Sequence, residues 1–116
     1  MERFIDALEQ RNLEKIRAFP KSDLHNHFVL GGNREYLWKK TGLTIKPVER
    51  PLSSMDEMHA WNQKNLGGRF DTPEMRKLLI RAAFYQARED GVTVLEIGED
   101  VWGLAEYFQN DIDELV

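Results

Sequence analysis

The segment 72–97 constrains the fold of this chain more than any other. A capping Thr, a Pro and an acidic residue begin a helix that we predict to run to about Asp90. Gly91 offers a left-handed exit, and the β-branched run 92–97 predicts a strand. This order forms the second half of a βαβ unit, so a parallel partner strand must lie earlier in the chain. The predicted buried stripe of the helix comprises Met75, Leu78, Leu79, Ala82 and Tyr85.

The partner strand is predicted in the short apolar run 19–28, which carries two histidines one residue apart. Because side chains alternate along a strand, His25 and His27 point the same way, on the order of 7 Å apart at the backbone. That separation allows two imidazoles to bind one metal ion. Asp23 lies on the same face.

Helices are predicted on both sides of this strand. A helical hairpin leads into it, and a Gly-Gly turn then leads to a helix over 33–41 that Gly42 closes. The pattern loosens over 43–71, where Ser54 begins another helix, and this segment serves either as a lid over a pocket or as packing. His59 stands alone there and is interpreted as a surface or packing residue.

The second strand carries an acidic side chain on its apolar face. Val92, Val94 and Glu96 share that face, where burial of a carboxylate is costly unless it is paired. Glu96 is therefore interpreted either as a structural ion-pair or hydrogen-bonding residue, or as a residue that supports a catalytic site.

Composition narrows the function classes. With 116 residues, of which 41% are hydrophobic and 31% charged, we expect a single unit over 1–116 with a modest core. A net charge of −4 and no Lys/Arg cluster argue against nucleic acid and anionic membranes as partners. Without cysteine, a metal must be bound by His and carboxylates. The first residues fit neither a signal peptide nor a membrane span, so we expect a cytoplasmic protein.

The order of these signals resembles the amino-terminal part of the adenosine deaminase-like metal-dependent hydrolases of the amidohydrolase superfamily. Phe19-Pro20-Lys21-Ser22-Asp23-Leu24-His25-Asn26-His27 resembles the family's Leu-Pro-Lys-x-Glu-Leu-His-x-His first strand. Glu89-Asp90-Gly91-Val92-Thr93-Val94-Leu95-Glu96-Ile97 resembles its Glu-Gly-Val-x-Tyr-x-Glu-Val second strand, and the segment 38–43 falls where the family's first helix ends. The resemblance implies an α/β fold that is the amino-terminal portion of a (β/α)8 TIM barrel, with about two parallel strands.

The resemblance also implies a site and a reaction. His25 and His27 would be two ligands of a catalytic zinc, with Asp23 and Glu96 as supporting residues beside them. The metal would activate water to attack a purine-type carbon that bears an amino group. The substrate would be a small purine-type molecule such as a nucleoside.

The chain departs from the family's pattern at two positions and in length. An apolar residue replaces the family's ribose-contacting Asp after His27, and Gly98 replaces an Arg, so we expect an altered pocket. A complete barrel needs about 250 residues. By the resemblance, the third metal His, the proton-shuttling Glu with its neighbouring His, and the last metal Asp would lie beyond position 116. We therefore expect an amino-terminal fragment with no catalytic residues of its own and no turnover in isolation.

Open strand edges favour a homo-oligomer or a strand-exchanged dimer. Two other functions stay open at this point. The first is a non-catalytic oligomeric or interaction protein derived from the same fold. The second is a PHP-type phosphoesterase, because Asp23-Leu24-His25-Asn26-His27 also fits an Asp-x-His-x-His opening. We rank it last, because in that family a helix-strand unit follows much sooner.

Overall fold

The computed structural model describes residues 3–98 and 101–115. Over these ranges helices surround a small sheet. In chain order the elements are α1 (Phe4–Glu9), α2 (Leu13–Ala18), β1 (Lys21–Asn26), α3 (Phe28–Gly31), α4 (Arg34–Thr41), α5 (Met55–Asn65), α6 (Pro73–Glu89), β2 (Val92–Ile97), α7 (Val101–Phe108) and α8 (Ile112–Leu115).

The two strands pair in parallel, as the sequence predicts. Lys21 lies opposite Val92 at one end and Asn26 opposite Ile97 at the other. The α/β class with two parallel strands is therefore confirmed. The described strands form an open sheet and not a closed barrel. That they belong to a (β/α)8 barrel stays a prediction, as does the single unit over 1–116.

Helix α6 is the last of the four helices that connect β1 to β2, and it contacts β2, α3 and α4. Its Thr72 cap is confirmed, since the Thr72 hydroxyl accepts from the Met75 amide at 3.3 Å. The Asn33 amide donates to the Ala82 carbonyl at 2.9 Å, which ties the start of α4 to α6. The core residues in this layer are Phe28, Leu37, Leu66, Phe70, Leu79, Ala82 and Ala83.

The predicted buried stripe of α6 was wrong at Tyr85, which is 44% exposed. Its ring instead stacks on Tyr36, with ring centroids 5.1 Å apart. The buried contact is made by small residues of α6, Ala82 and Ala83, because small side chains let the neighbouring backbone come close. A Cβ added to Gly32 would lie 3.0 Å from the Cβ of Ala82, so the contact leaves little space for a larger side chain.

A tight contact holds the amino ends of the strands against α2. Gly91 has φ +72°, and a Cβ added there would lie 1.9 Å from the carbonyl oxygen of Arg17. The Lys21 ammonium donates to the carbonyls of Ile16 and Phe19 at 2.5 and 2.8 Å, where α2 ends. Backbone carbonyls at a helix end otherwise need water or a cap. This end of the sheet is therefore fixed by direct hydrogen bonds and close packing.

The segment 43–71 is anchored mainly at its end. Leu66 and Phe70 are buried in the core, whereas α5 itself buries no residue and Met55 is 63% exposed. His59 is exposed, as expected of a surface residue.

The Cα radius of gyration is 16.2 Å, against about 13 Å for a compact domain of this length. In the described part of the chain, no helix is long and apolar enough to cross a membrane.

Candidate metal centre

His25 and His27 meet at the carboxyl end of the sheet. Their Nε2 atoms lie 3.0 Å apart, and their rings are 4.8 Å apart at an angle of 69°. The strand ends before the predicted run does, because β1 stops at Asn26 and His27 is the residue that precedes α3. His27 keeps an extended backbone with φ −85° and ψ 95°, so its ring still reaches that of His25.

The residue after the histidines anchors the site to the core. Phe28 is 1% exposed and begins the short helix α3, which packs against α6. The guanidinium of Arg76 lies 5.8 Å from the Phe28 ring and 4.8 Å from the Tyr107 ring, within the range of cation–π attraction. His27 thus starts from a backbone that buried contacts hold in place, while its imidazole is exposed.

The two imidazoles border a small open pocket of about 180 Å³. Its lining residues come from the ends of both strands: Leu24, His25, Asn26, His27, Glu96, Ile97 and Gly98. A Cβ added to Gly98 would meet nothing within 4 Å, so this side of the pocket is open. The larger cavity, of about 460 Å³, lies at the amino ends of the strands and is lined by apolar residues, Thr93 and two arginines. The two neighbouring histidines therefore lie at the carboxyl end.

Burial of Glu96 was predicted wrongly. Glu96 is exposed and Val94 is 50% exposed, because no described element covers that face of β2. An exposed carboxylate needs no buried partner, which removes the reason to assign Glu96 a structural ion pair. Its position on the wall of the histidine pocket is the remaining observation.

Asp23 contacts the site through the backbone and a neighbouring amide. Its Oδ2 accepts from the Asn26 Nδ2 at 2.7 Å, and its Oδ1 accepts from the His25 amide at 3.3 Å. Sequence reasoning missed Asn26, although a polar amide between two histidines, alternating to the helix-packed side of the sheet, was a usable signal. Whether Asp23, Glu96 and the histidines serve a metal stays a prediction.

The distance between the two Nε2 atoms is close to the distance between two nitrogen ligands of one tetrahedral zinc ion. Two nitrogens bound to one tetrahedral zinc are separated by about 3.3 Å, close to the 3.0 Å between these Nε2 atoms. Without metal, the Nε2–H of one ring can donate to the Nε2 of the other ring. A bound metal ion needs the lone pairs of both Nε2 atoms, so neither of them can then carry a proton. Across the described ranges, no group of three or more His, Asp or Glu side chains is arranged to hold a metal ion.

Comparison with known proteins finds one distant relative to report. A protein of Treponema pallidum (strain Nichols), provisionally named adenosine/adenine deaminase, is 27% identical over 105 residues. The match covers 86% of this chain and 33% of that protein, so the chain spans about a third of the relative's length. No protein-family model and no solved structure matches the chain.

Proposed function

We propose that this chain supplies two zinc ligands, His25 and His27, to a hydrolase that deaminates a small purine-type compound. The observation that carries the proposal is the 3.0 Å separation of the two Nε2 atoms at the carboxyl end of parallel strands. That edge is where α/β enzymes place their chemistry. The distant similarity to the Treponema pallidum protein supports the reaction class.

Each residue has a limited task in this proposal. Zinc bound at the pair would supply a Lewis acid that lowers the pKa of a bound water toward neutrality. His25 and His27 bring their Nε2 atoms to 3.0 Å from each other, and Asp23 accepts a hydrogen bond from the His25 backbone amide. Glu96 adds a negative charge to the pocket wall, which favours a cation there.

The isolated chain is proposed to lack turnover. Two imidazoles leave positions for water and substrate, but within 3–98 and 101–115 no third ligand group completes the site. A hydrolytic deamination also needs a group that moves protons, and by the resemblance this group lies outside these residues. Activity is therefore a property of a longer polypeptide that contains this segment.

The test begins with the coding sequence that follows position 116. If the frame continues, the full polypeptide is assayed for ammonia release from adenosine and from adenine, with His25→Ala and His27→Ala variants. We expect ammonia release that both variants lose by more than about a hundredfold. His59→Ala is the matched control, because His59 is an exposed helix histidine outside the pocket, and it should retain activity.

Three results would contradict this function. They are an in-frame stop directly after Val116, release of phosphate from esters without deamination, and unchanged activity in the two histidine variants. The second result would favour the phosphoesterase alternative.

A non-catalytic, self-associating protein is the second candidate, and the exposed sheet favours it. Leu24 is 59% exposed and Val94 is 50% exposed, on strands whose outer edges have no described partner. Unprotected edges of this kind promote pairing between copies. Light scattering combined with metal analysis separates the candidates, because a zinc-free, monodisperse oligomer favours this one. A cytoplasmic location stays a prediction from the sequence.

A further inference from the structure

We infer that Asp23, Asn26 and Gly31 form a clamp that holds a β-bulge in β1 and thereby sets the distance between the His25 and His27 rings. The inference makes these three residues positioning residues for the proposed metal site. The expected effect on Zn²⁺ affinity rests on the proposed function, whereas the expected distance between the two imidazole rings concerns the metal-free chain.

The bulge is visible in the strand register. Asp23 pairs with Leu95 and Asn26 pairs with Ile97, so β1 advances three residues where β2 advances two. The one extra residue lies in the stretch that contains His25. Bulges increase local twist and re-aim side chains, and they are common beside active sites. The orientation of the His25 ring is therefore a consequence of this irregularity.

Asp23 closes the bulged stretch from within. Its Oδ1 accepts from the His25 amide at 3.3 Å, which is an Asx-type turn, and its Oδ2 accepts from Asn26 at 2.7 Å. The backbone amide of His25 thus bonds to a side chain within its own strand. Loss of this carboxylate leaves the bulge without its internal hydrogen bonds.

Asn26 connects the bulge to the turn that follows His27. The Asn26 Nδ2 donates to Asp23, and both Oδ1 and Nδ2 of the same side chain lie close to Gly31. A Cβ added to Gly31 would lie 2.5 Å from Oδ1 and 2.9 Å from Nδ2. The Gly31 amide in turn donates to the His27 carbonyl at 3.3 Å. One amide side chain therefore contacts both the Asp23 carboxylate and the turn that follows His27.

The buried end of this amide points to a positional role. Asn26 Oδ1 is buried and has no hydrogen-bond partner among the described residues. Such an acceptor costs stability, and a native buried acceptor left in this state calls for an explanation. We attribute this state to position: the bond to Asp23 and the packing against Gly31 hold the amide in place although its oxygen lacks a donor.

The experiment measures Zn²⁺ affinity of the 116-residue chain and its variants by calorimetric titration, with urea unfolding as a check on folding. Asp23→Ala is expected to bind Zn²⁺ at least about tenfold more weakly, as is typical when a group behind a metal ligand is lost. Asp23→Asn, which keeps an acceptor oxygen for the His25 amide, should lose less.

A double-mutant comparison tests the contact between Asn26 and Gly31. Gly31→Ala should weaken Zn²⁺ binding by at least about tenfold, because the new methyl displaces the amide. In the Asn26→Ala background the same substitution should have little further effect, because the space is then free. Additive losses would contradict the contact. Gly42→Ala is the control, since a Cβ there meets nothing within 4 Å and Gly42 lies at the far end of α4.

A second readout needs no metal. In the metal-free chain, nuclear Overhauser contacts between the two imidazole rings should be present and should weaken in Asp23→Ala and Gly31→Ala. If the unaltered chain binds no Zn²⁺, the two histidines alone do not hold the metal, and the ring contacts in the metal-free chain then test the clamp; the proposed function itself fails only if ammonia release by the full polypeptide is unchanged in the histidine variants. If it binds Zn²⁺ and these variants bind equally well with unchanged ring contacts, the clamp is wrong and the metal site stands.

Discussion

The two ends of the sheet differ in how they use their residues. At the amino end, Gly91 lies against the Arg17 carbonyl and Lys21 satisfies the carbonyls that end α2. At the carboxyl end, His25 and Glu96 are exposed around an open pocket. Contacts that fix the framework thus lie at one end and groups able to bind a ligand lie at the other. Substitutions at the first should change stability, and substitutions at the second should change binding.

The largest expected effect is that of Gly91→Ala. A Cβ at 1.9 Å from the Arg17 carbonyl cannot be accommodated without moving α2, and φ of +72° adds left-handed strain. We expect a loss of at least about 3 kcal/mol in unfolding free energy, measured by urea denaturation.

Gly42→Ala is the matched control for this substitution. Gly42 has the same φ of +72°, but nothing lies within 4 Å of its added Cβ. It should lose only about 1 kcal/mol, the cost of the left-handed backbone. Equal losses of unfolding free energy in the two variants would show that the close contact at the amino end adds nothing to the cost of the left-handed backbone.

A smaller effect is expected for Lys21→Met. The substitution keeps most of the side-chain volume but removes the donors to the Ile16 and Phe19 carbonyls, so we expect a loss of about 1–2 kcal/mol in unfolding free energy. Lys39→Met is the control, because Lys39 forms an exposed pair with Glu35 and its loss should have no measurable effect. Zn²⁺ affinity should be unchanged in both variants. A change in affinity for Lys21→Met would show that the two ends are coupled.

The smallest effect concerns pH and is confined to α5. The Arg50 guanidinium, followed by the Ser53 amide and hydroxyl, lowers the pKa of Glu57 from 4.5 to about 2. Because the folded pKa is the lower one, the stabilisation is present above about pH 4.5 and is lost as the pH falls toward 2. Helix α5 buries no residue, so its amides should lose protection against exchange, relative to their intrinsic rates at each pH, while the sheet stays intact.

Hydrogen exchange of α5 across this pH range measures the effect. Glu57→Gln should remove the pH dependence, because the group that titrates is gone. Cooperative unfolding of the sheet over the same range would contradict a local effect.

Local signals in the sequence predicted the framework well. Asn12, Asn33 and Thr72 cap their helices through side-chain oxygens, and Gly91 has the left-handed backbone expected of a helix exit. These features depend on a few neighbouring residues, so periodicity and capping chemistry determine them. The parallel pairing was predictable because a helix that packs on a sheet and leads directly into a strand is typical of a βαβ unit, whose strands are parallel.

The site was less predictable because its geometry depends on which residues of the two strands pair and on which elements cover the faces of the sheet. Alternation alone placed both histidines on one face, but the extra residue opposite the 95–97 stretch of β2 is a property of the pairing. Glu96 was expected to be buried because its face is apolar, yet burial requires a covering layer that a strand pattern does not reveal. Tyr85 was likewise misassigned because small residues on the neighbouring turns of α6 pack closer.

The most direct test of the account is Zn²⁺ binding by the 116-residue chain, measured together with unfolding free energy, for the unaltered chain, His25→Ala, His27→Ala and His59→Ala. We expect one Zn²⁺ per chain, lost in the first two variants by more than about a hundredfold in affinity and retained in the third. Because both histidines are exposed, unfolding free energy without metal should stay within about 0.5 kcal/mol in all variants. Equal binding by all four proteins would contradict the claim that His25 and His27 hold the metal, and absence of binding by the unaltered chain would contradict the claim that the pair alone binds Zn²⁺.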